Sequence, residues 1–178
     1  MLYVNEQQLT MEIRAEQPED FAAIREVNIA AFERVNEADL VDRLRQASMT
    51  LSFVAVEAGR VVGHVLFSPV SIEGECTSHP LVLGLAPLAV LPDSQKQGIG
   101  SLLVRHSLKQ VGNLGFSAIV VLGNPAYYSR FGFKSAKEKN LACEYDVPDE
   151  AFMVIELQDG ALQDCHGTVK YRLEFADL

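Results

Sequence analysis

Between Leu81 and Val90 the chain is almost wholly apolar, and eight residues after Val90 two glycines, Gly98 and Gly100, open an amphipathic helix. That juncture constrains the fold more than any other stretch. An apolar run of this length reads as a buried strand, and the helix after it has to pack back on the same sheet. Glycine weakens helices, so two of them in a first turn answer to something other than propensity. Two readings stand. Either the glycines let the helix lie tightly on a strand, or they clear space for a ligand that touches the backbone. A helix start presents unsatisfied N–H donors and the positive end of the macrodipole, a ready anion site, and Lys96 adds charge beside it. Two better-known phosphate loops are excluded. Leu103 stands where a dinucleotide fingerprint needs its third glycine, and no G-x-x-x-x-G-K-[ST] string occurs.

The flanking segments give the element order. MEIRA is a short first strand. QPEDFAAIREVNIAAF has Pro18 at a first helical position, Glu19 and Asp20 in the first turn, and Phe21, Ile24, Val27 and Ala31 at helical spacing. NEADLVDRLRQA repeats the pattern, with Asn36 as cap and Leu40, Val41 and Leu44 on one face. TLSFVAVEAGRVVGHVLFSPVSI is two strands around a hairpin at Glu57-Ala58-Gly59-Arg60. In the next run Pro87 cannot donate to a ladder, which predicts an edge, a bulge or a place where pairing opens. The helix after Gly98 buries Ile99, Leu103, Val104, Leu108 and Val111 and turns Ser101, Arg105 and Lys109 outward; Gly112 and Gly115 stop it. SAIVVL is a buried strand and NPAYYSRFGF a short helix and turn. FMVIEL and TVKYRLEF close the chain as strands, the second alternating Val169, Tyr171, Leu173 and Phe175. The order β-αα-βββ-α-β-α-ββ, without repeat or linker, predicts one mixed α/β domain over residues 1–178.

A formal charge of −9 argues against a nucleic-acid binder, which needs a basic stripe. Cys76, Cys143 and Cys165 are too scattered for a disulfide framework and fit a reducing compartment. His64, His79, His106 and His166 form no ligand-spaced cluster with them, so no metal site is expected. The polar leader lacks the basic and apolar regions of a signal peptide, and no apolar run reaches membrane-spanning length. These features predict a cytoplasmic protein with no membrane partner.

Gln95-x-x-Gly98-x-Gly100 after an apolar strand matches the [RQ]-x-x-G-x-[GA] motif of the GNAT N-acetyltransferase superfamily. "GLAPLAVLPDSQKQGIGSLLVRHSL" followed by "VVLGNPAYYSRFGFKSA" resembles more narrowly its YhbS-like branch, and the resemblance runs from about Ile13 to Phe175. It implies the GNAT acyltransferase fold, α/β in the α+β sense: a mixed, mostly antiparallel central sheet flanked by helices, splayed into a V between the strands around 82–90 and 117–122. It implies acetyl-CoA as co-substrate and no metal. The pyrophosphate role falls on Gln95, Lys96, Gln97, Gly98, Ile99, Gly100 and Ser101, and the pantetheine arm pairs with Leu88, Ala89 and Val90. Counting back four residues from Phe133's partner glycine, Gly132, gives Tyr128 as the general acid toward the sulfur. Tyr127 and Asn124 fall beside the cofactor arm, although Asn124 is not a strict match to the family's asparagine. Glu33 and Glu37 lie where the family lines its acceptor side, and no motif fixes a base. The acceptor is a small-molecule or protein amine, and the chain a monomer or homodimer. A non-catalytic acyl-CoA sensor or protein-interaction module, or a transferase of another acyl group, would carry the same motifs.

Overall fold

The computed structural model describes residues 11–178; the polar leader before Met11 lies outside them. Seven strands form one sheet in the order β1-β2-β3-β5-β6-β9-β7. They are β1 (Met11–Ala15), β2 (Leu51–Glu57), β3 (Arg60–Pro69), β5 (Val82–Val90), β6 (Ala118–Leu122), β7 (Lys134–Ser135) and β9 (Phe152–Glu156). Every neighbouring pair is antiparallel except β5 and β6. The helices are α1 (Phe21–Phe32), α2 (Asn36–Arg45), α3 (Ile99–Asn113) and α4 (Pro125–Tyr128). The mixed, mostly antiparallel sheet with flanking helices is the architecture expected.

The hairpin between β2 and β3 turns at Ala58 and Gly59, both at positive φ (47° and 79°), the backbone a tight two-residue hairpin requires. Adjacent residues of β3 then show how the layers lie. A side chain at Gly63 would meet Ile99 and Leu103 of α3, whereas His64 bonds Asn28 of α1. Successive strand residues face opposite ways, so α1 and α3 cover opposite faces of the sheet. Burial of Ile24, Val27 and Leu44 on one face and Leu103, Val104 and Val111 on the other matches the apolar arcs of the sequence.

Three expectations are corrected. The run ending in VSI is divided: β3 stops at Pro69, and β4 (Ser71–Cys76) joins a second sheet with β8 (Leu141–Cys143) and β10 (Cys165–Lys170). TVKYRLEF is a strand only to Lys170, because its partner β4 begins at Ser71, opposite Lys170. Beyond that the Tyr171 N–H donates to Glu144 Oε1 (2.5 Å), and Leu173–Asp177 forms a helical turn that leaves Leu173 exposed and Phe175 buried. The cysteines are not all free thiols, for Cys76 and Cys165 face each other across β4 and β10 and are joined as a disulfide. In addition, Val35 rather than Asn36 stands at the cap of α2.

Candidate active site

The site begins where β5 and β6 part. They pair only at Val82–Ala118, Leu83–Ile119 and Gly84–Val120. Beyond Gly84 the register of β5 on β3 slips at Ala86-Pro87, where two residues of β5 oppose Leu66. A bulge bends its strand and strengthens the local twist, and it turns the rest of β5 away from β6. Pro87 thus sits at a bulge and at the opening of the pairing together. Past it, Leu88, Ala89 and Val90 keep their pairing to β3, while the other edge faces the gap. The Leu91 N–H donates to Val62 O (2.9 Å), so the preceding peptide groups of Val90 turn toward the gap. Gln95 Nε2 donates to Val90 O (3.0 Å) and ties the following loop to this edge.

That loop is the glycine stretch. Lys96 (φ 61°) and Gly98 (φ 86°) both adopt the left-handed conformation, which winds successive amides inward. Leu102 N–H is the donor to Gly98 O (3.0 Å), so the amides of Ile99, Gly100 and Ser101 have no partner within the helix. A Cβ on Gly100 would sit 2.8 Å from the Tyr127 hydroxyl. Gly98 is needed for its φ, Gly100 for this approach.

Leu88, Val90, Ser94, Gln95, Lys96, Gly98, Ile99, Gly100, Ser101, Tyr127 and Arg130 enclose a cleft of about 520 Å³. Nine of these are residues singled out in the sequence. Arg130 and Ser94 are additions. Arg130 lies 4.6 Å over the Tyr127 ring, and its Nε donates to Tyr127 O (3.1 Å). Its signal was available in YYSRF, a basic residue two places after the tyrosine pair. With Lys96 it places two cations beside the unsatisfied amides. The cleft therefore suits an anionic group at the helix start and an extended, hydrogen-bonding arm along β5.

Other expected residues lie outside that lining. Ala89 is buried opposite His64, and the alternation that turns the Val90 peptide groups to the gap turns those of Ala89 to β3. The Gln97 side chain bonds Asp93 O (3.1 Å). Asn124 caps α4, its Oδ1 accepting the Ala126 N–H (2.9 Å). Tyr128 is buried behind Tyr127, ring centroids 5.0 Å apart, with its ring where a side chain on Gly123 would be. Burial pushes both tyrosine hydroxyls up, Tyr128 the more strongly, with Tyr127 adding to the shift. Glu33 ends α1 at positive φ (56°) and is exposed. Glu37 is buried and gripped by Arg34, whose Nε lies 3.0 Å from each carboxylate oxygen. Neither glutamate is brought to the cleft. Among the described residues no group of three or more His, Cys, Asp or Glu is arranged to hold a metal ion, and no helix is long and apolar enough to cross a membrane.

A strand edge opened by a bulge, facing a glycine-built anion cradle at a helix start, is the site of a CoA-type acyltransferase fold. Residues 49–135 match the acetyltransferase (GNAT) domain family. The chain is 40% identical over 167 residues to the uncharacterized N-acetyltransferase YhbS of Escherichia coli K12, covering 93% of this chain and 98% of YhbS. It superposes on the crystal structure of E. coli YhbS in complex with CoA with a TM-score of 0.87 at 39% identity, covering 94% of this chain and 93% of that one. A GNAT family acetyltransferase from Brucella melitensis, in complex with acetyl-CoA, matches with a TM-score of 0.75 at 38% identity, covering 93% and 98%. The chain belongs to the GNAT N-acetyltransferase family.

Proposed function

We propose that this chain transfers the acetyl group of acetyl-CoA to an amine by direct attack in a ternary complex. The observation that carries the reading is the gap between β5 and β6 opening onto the cradle of Gly98, Gly100 and Lys96. Related structures at 38–39% identity that hold CoA and acetyl-CoA support it. The pyrophosphate is received by the amides of Ile99, Gly100 and Ser101, with Lys96 and Arg130 supplying charge. The pantetheine arm lies along Leu88–Val90 as an added strand. In the reaction the amine nitrogen bonds to the thioester carbonyl carbon and the C–S bond breaks with its electron pair on sulfur. The Val90 N–H, turned toward the gap, stabilises the charge developing on the carbonyl oxygen. The nitrogen loses a proton to solvent, and the sulfur gains one.

Tyr128 is the donor toward sulfur. Its raised pKa keeps the phenol protonated throughout the ordinary pH range. A thiolate formed in the same desolvated place is also pushed up, which brings donor and acceptor closer to balance than they are in water. The proposal places the chain in the cytoplasm, a compartment that supplies the thioester, as a monomer or homodimer.

The test is calorimetric titration with acetyl-CoA, followed by thiol release in the presence of amines. Tyr128→Phe is expected to leave acetyl-CoA affinity within about twofold and to lower kcat by about a hundredfold, the low side of general-acid effects. Unchanged kcat where chemistry limits the rate removes Tyr128 from the reaction. Acetyl-CoA consumption that no amine accelerates would favour the acyl-CoA sensor.

A further inference from the structure

The parting of β5 and β6 opens on two faces, and the cradle uses only one. On the face of α1 and α2 lies a second cleft of about 300 Å³. Its walls are Leu85 and Ala86 of β5, Leu122 of β6, and Tyr145, Tyr171 and Phe175 from the C-terminal third of the chain. The Leu173–Asp177 turn fixes this wall against α2, where Arg43 donates to Glu174 O (3.0 Å). Tyr171 lies over Gly84, the last residue of β5 paired to β6; a Cβ there would be 2.8 Å from the ring. Its ring centroid is 5.7 Å from that of Tyr145 and 5.2 Å from that of Phe175. The cleft is thus an aromatic-lined mouth on the same opening that receives the acyl group from the other side.

Three observations describe what fits it. Among the described residues no charged side chain lines it, Val147 and Leu178 completing the walls. Glu144, next to the lining residue Tyr145, is engaged by the Tyr171 N–H and by Lys170 Nζ, 3.8 Å away. A second cation on the occupant would therefore be desolvated with no counter-charge from the described lining side chains. The size admits a body of one or two rings, given that a cavity of about 150 Å³ holds benzene. Finally, the Tyr171 hydroxyl is shielded from solvent and has no hydrogen-bond partner, though it is close enough to Tyr128 for the two to influence one another. A buried hydroxyl among apolar walls is costly unless a partner arrives, and an occupant of the cleft that Tyr171 lines can bring one when the ring moves to meet it.

We propose that this cleft holds the acceptor, and that the acceptor is a small amine carried on an apolar, aromatic body with no second charge. This rests on the acetyltransferase reading above. Polyamines, free lysine and polycationic sugars are the amines the cleft refuses.

The experiment compares kcat/KM for 2-phenylethylamine, spermidine and lysine by thiol release from acetyl-CoA. Phenylethylamine is expected to exceed both others by at least tenfold. Val147→Asp puts a carboxylate in the half-buried wall and should cut that preference at least tenfold, with acetyl-CoA affinity unchanged by calorimetry. Tyr145→Ala, at a partly exposed position, should raise the amine KM without altering the fold. Tyr171→Phe should raise the amine KM while leaving Tm equal or higher, since it deletes an unpartnered hydroxyl. Preference for spermidine or lysine overturns the proposal and leaves the acetyltransferase reading standing. So does a phenylethylamine preference that survives both Val147→Asp and Tyr145→Ala. If no amine accelerates thiol release, the acetyltransferase reading fails. Calorimetry of phenylethylamine on the CoA-loaded protein then decides the cleft: binding that Val147→Asp abolishes supports it, and no binding overturns it.

Discussion

Gly100 separates two roles that a glycine at a helix start can play. Its missing side chain admits the Tyr127 hydroxyl, and its amide belongs to the proposed cradle. Gly100→Ala tests the first role alone, because the atom it crowds is the end of a side chain that can turn aside. Gly100→Asp adds a carboxylate beside the pyrophosphate. We expect the alanine variant to lose less than about tenfold in acetyl-CoA affinity, and the aspartate variant about a hundredfold, close to 2.8 kcal/mol. Equal losses measured by calorimetry would mean that Gly100 serves packing only. Arg130 shows a residue whose role composition could not reveal. It is one basic side chain in an acidic chain, and its place in the cleft is fixed by stacking on Tyr127, a contact made only once α4 is formed.

At the scale of elements, α4 is where the site depends on local structure. It has one turn, Pro125–Tyr128, and carries both tyrosines. A helix that short is not stable alone; Pro125 presets its first turn and Asn124 caps it. Asn124→Ala is expected to cost about 1 kcal/mol of stability. It should also raise KM for acetyl-CoA, because Tyr127 loses its fixed position; denaturant unfolding and steady-state kinetics check the two effects. Elements of this kind also mark what the sequence could tell. The hairpin at Ala58-Gly59, the arc of α3 and the opening at Pro87 were legible, since each follows from a local rule of spacing or backbone chemistry. The second sheet was not. Its strand β4 pairs with β10, and the cysteines that meet across them lie 89 residues apart. β7 and β8, of two and three residues, are too short to show a period. TVKYRLEF reads as one strand by its alternation, and the strand ends at Lys170 because β4 has no residue left to pair. The residues bound to one motif were readable; the cleft proposed for the acceptor, assembled from β5, β6 and the tail, was not.

At the scale of the whole molecule, one polar chain crosses the core and sets the response to acid. Asn28 of α1 bonds Ile24 O with Nδ2 (2.9 Å), and the same nitrogen faces His64 Nδ1 (3.1 Å). An amide nitrogen can only donate, so His64 keeps its proton on Nε2, which faces Ser52 Oγ of β2 (3.0 Å). The Ser52 hydroxyl donates in turn to Glu16 Oε2 (2.6 Å), and Glu16 pairs with Arg45 of α2 (3.0 Å). A second proton on His64 would point at the Asn28 donor, and the ring has no access to solvent. Burial, with Arg45 nearby, pushes its pKa down to about 3. A folded pKa below the unfolded value near 6.5 means that the unfolded chain binds the proton first as pH falls. Stability from this group is complete above pH 6.5 and declines toward pH 3, by up to about 1.4 kcal/mol per pH unit. Asp20, held low by its bond to Arg14, acts in the same direction but over a lower window, below the unfolded carboxylate value of about 3.9. Between pH 6.5 and 5, then, His64 accounts for a loss of about 2 kcal/mol that Asp20 does not share. Urea unfolding at pH 7 and pH 5 should show that difference, and His64→Gln should flatten it even if the variant is less stable at both. A wild-type protein equally stable at the two values would mean that the core admits the proton, and that the chain from Asn28 to Arg45 does not lock the ring.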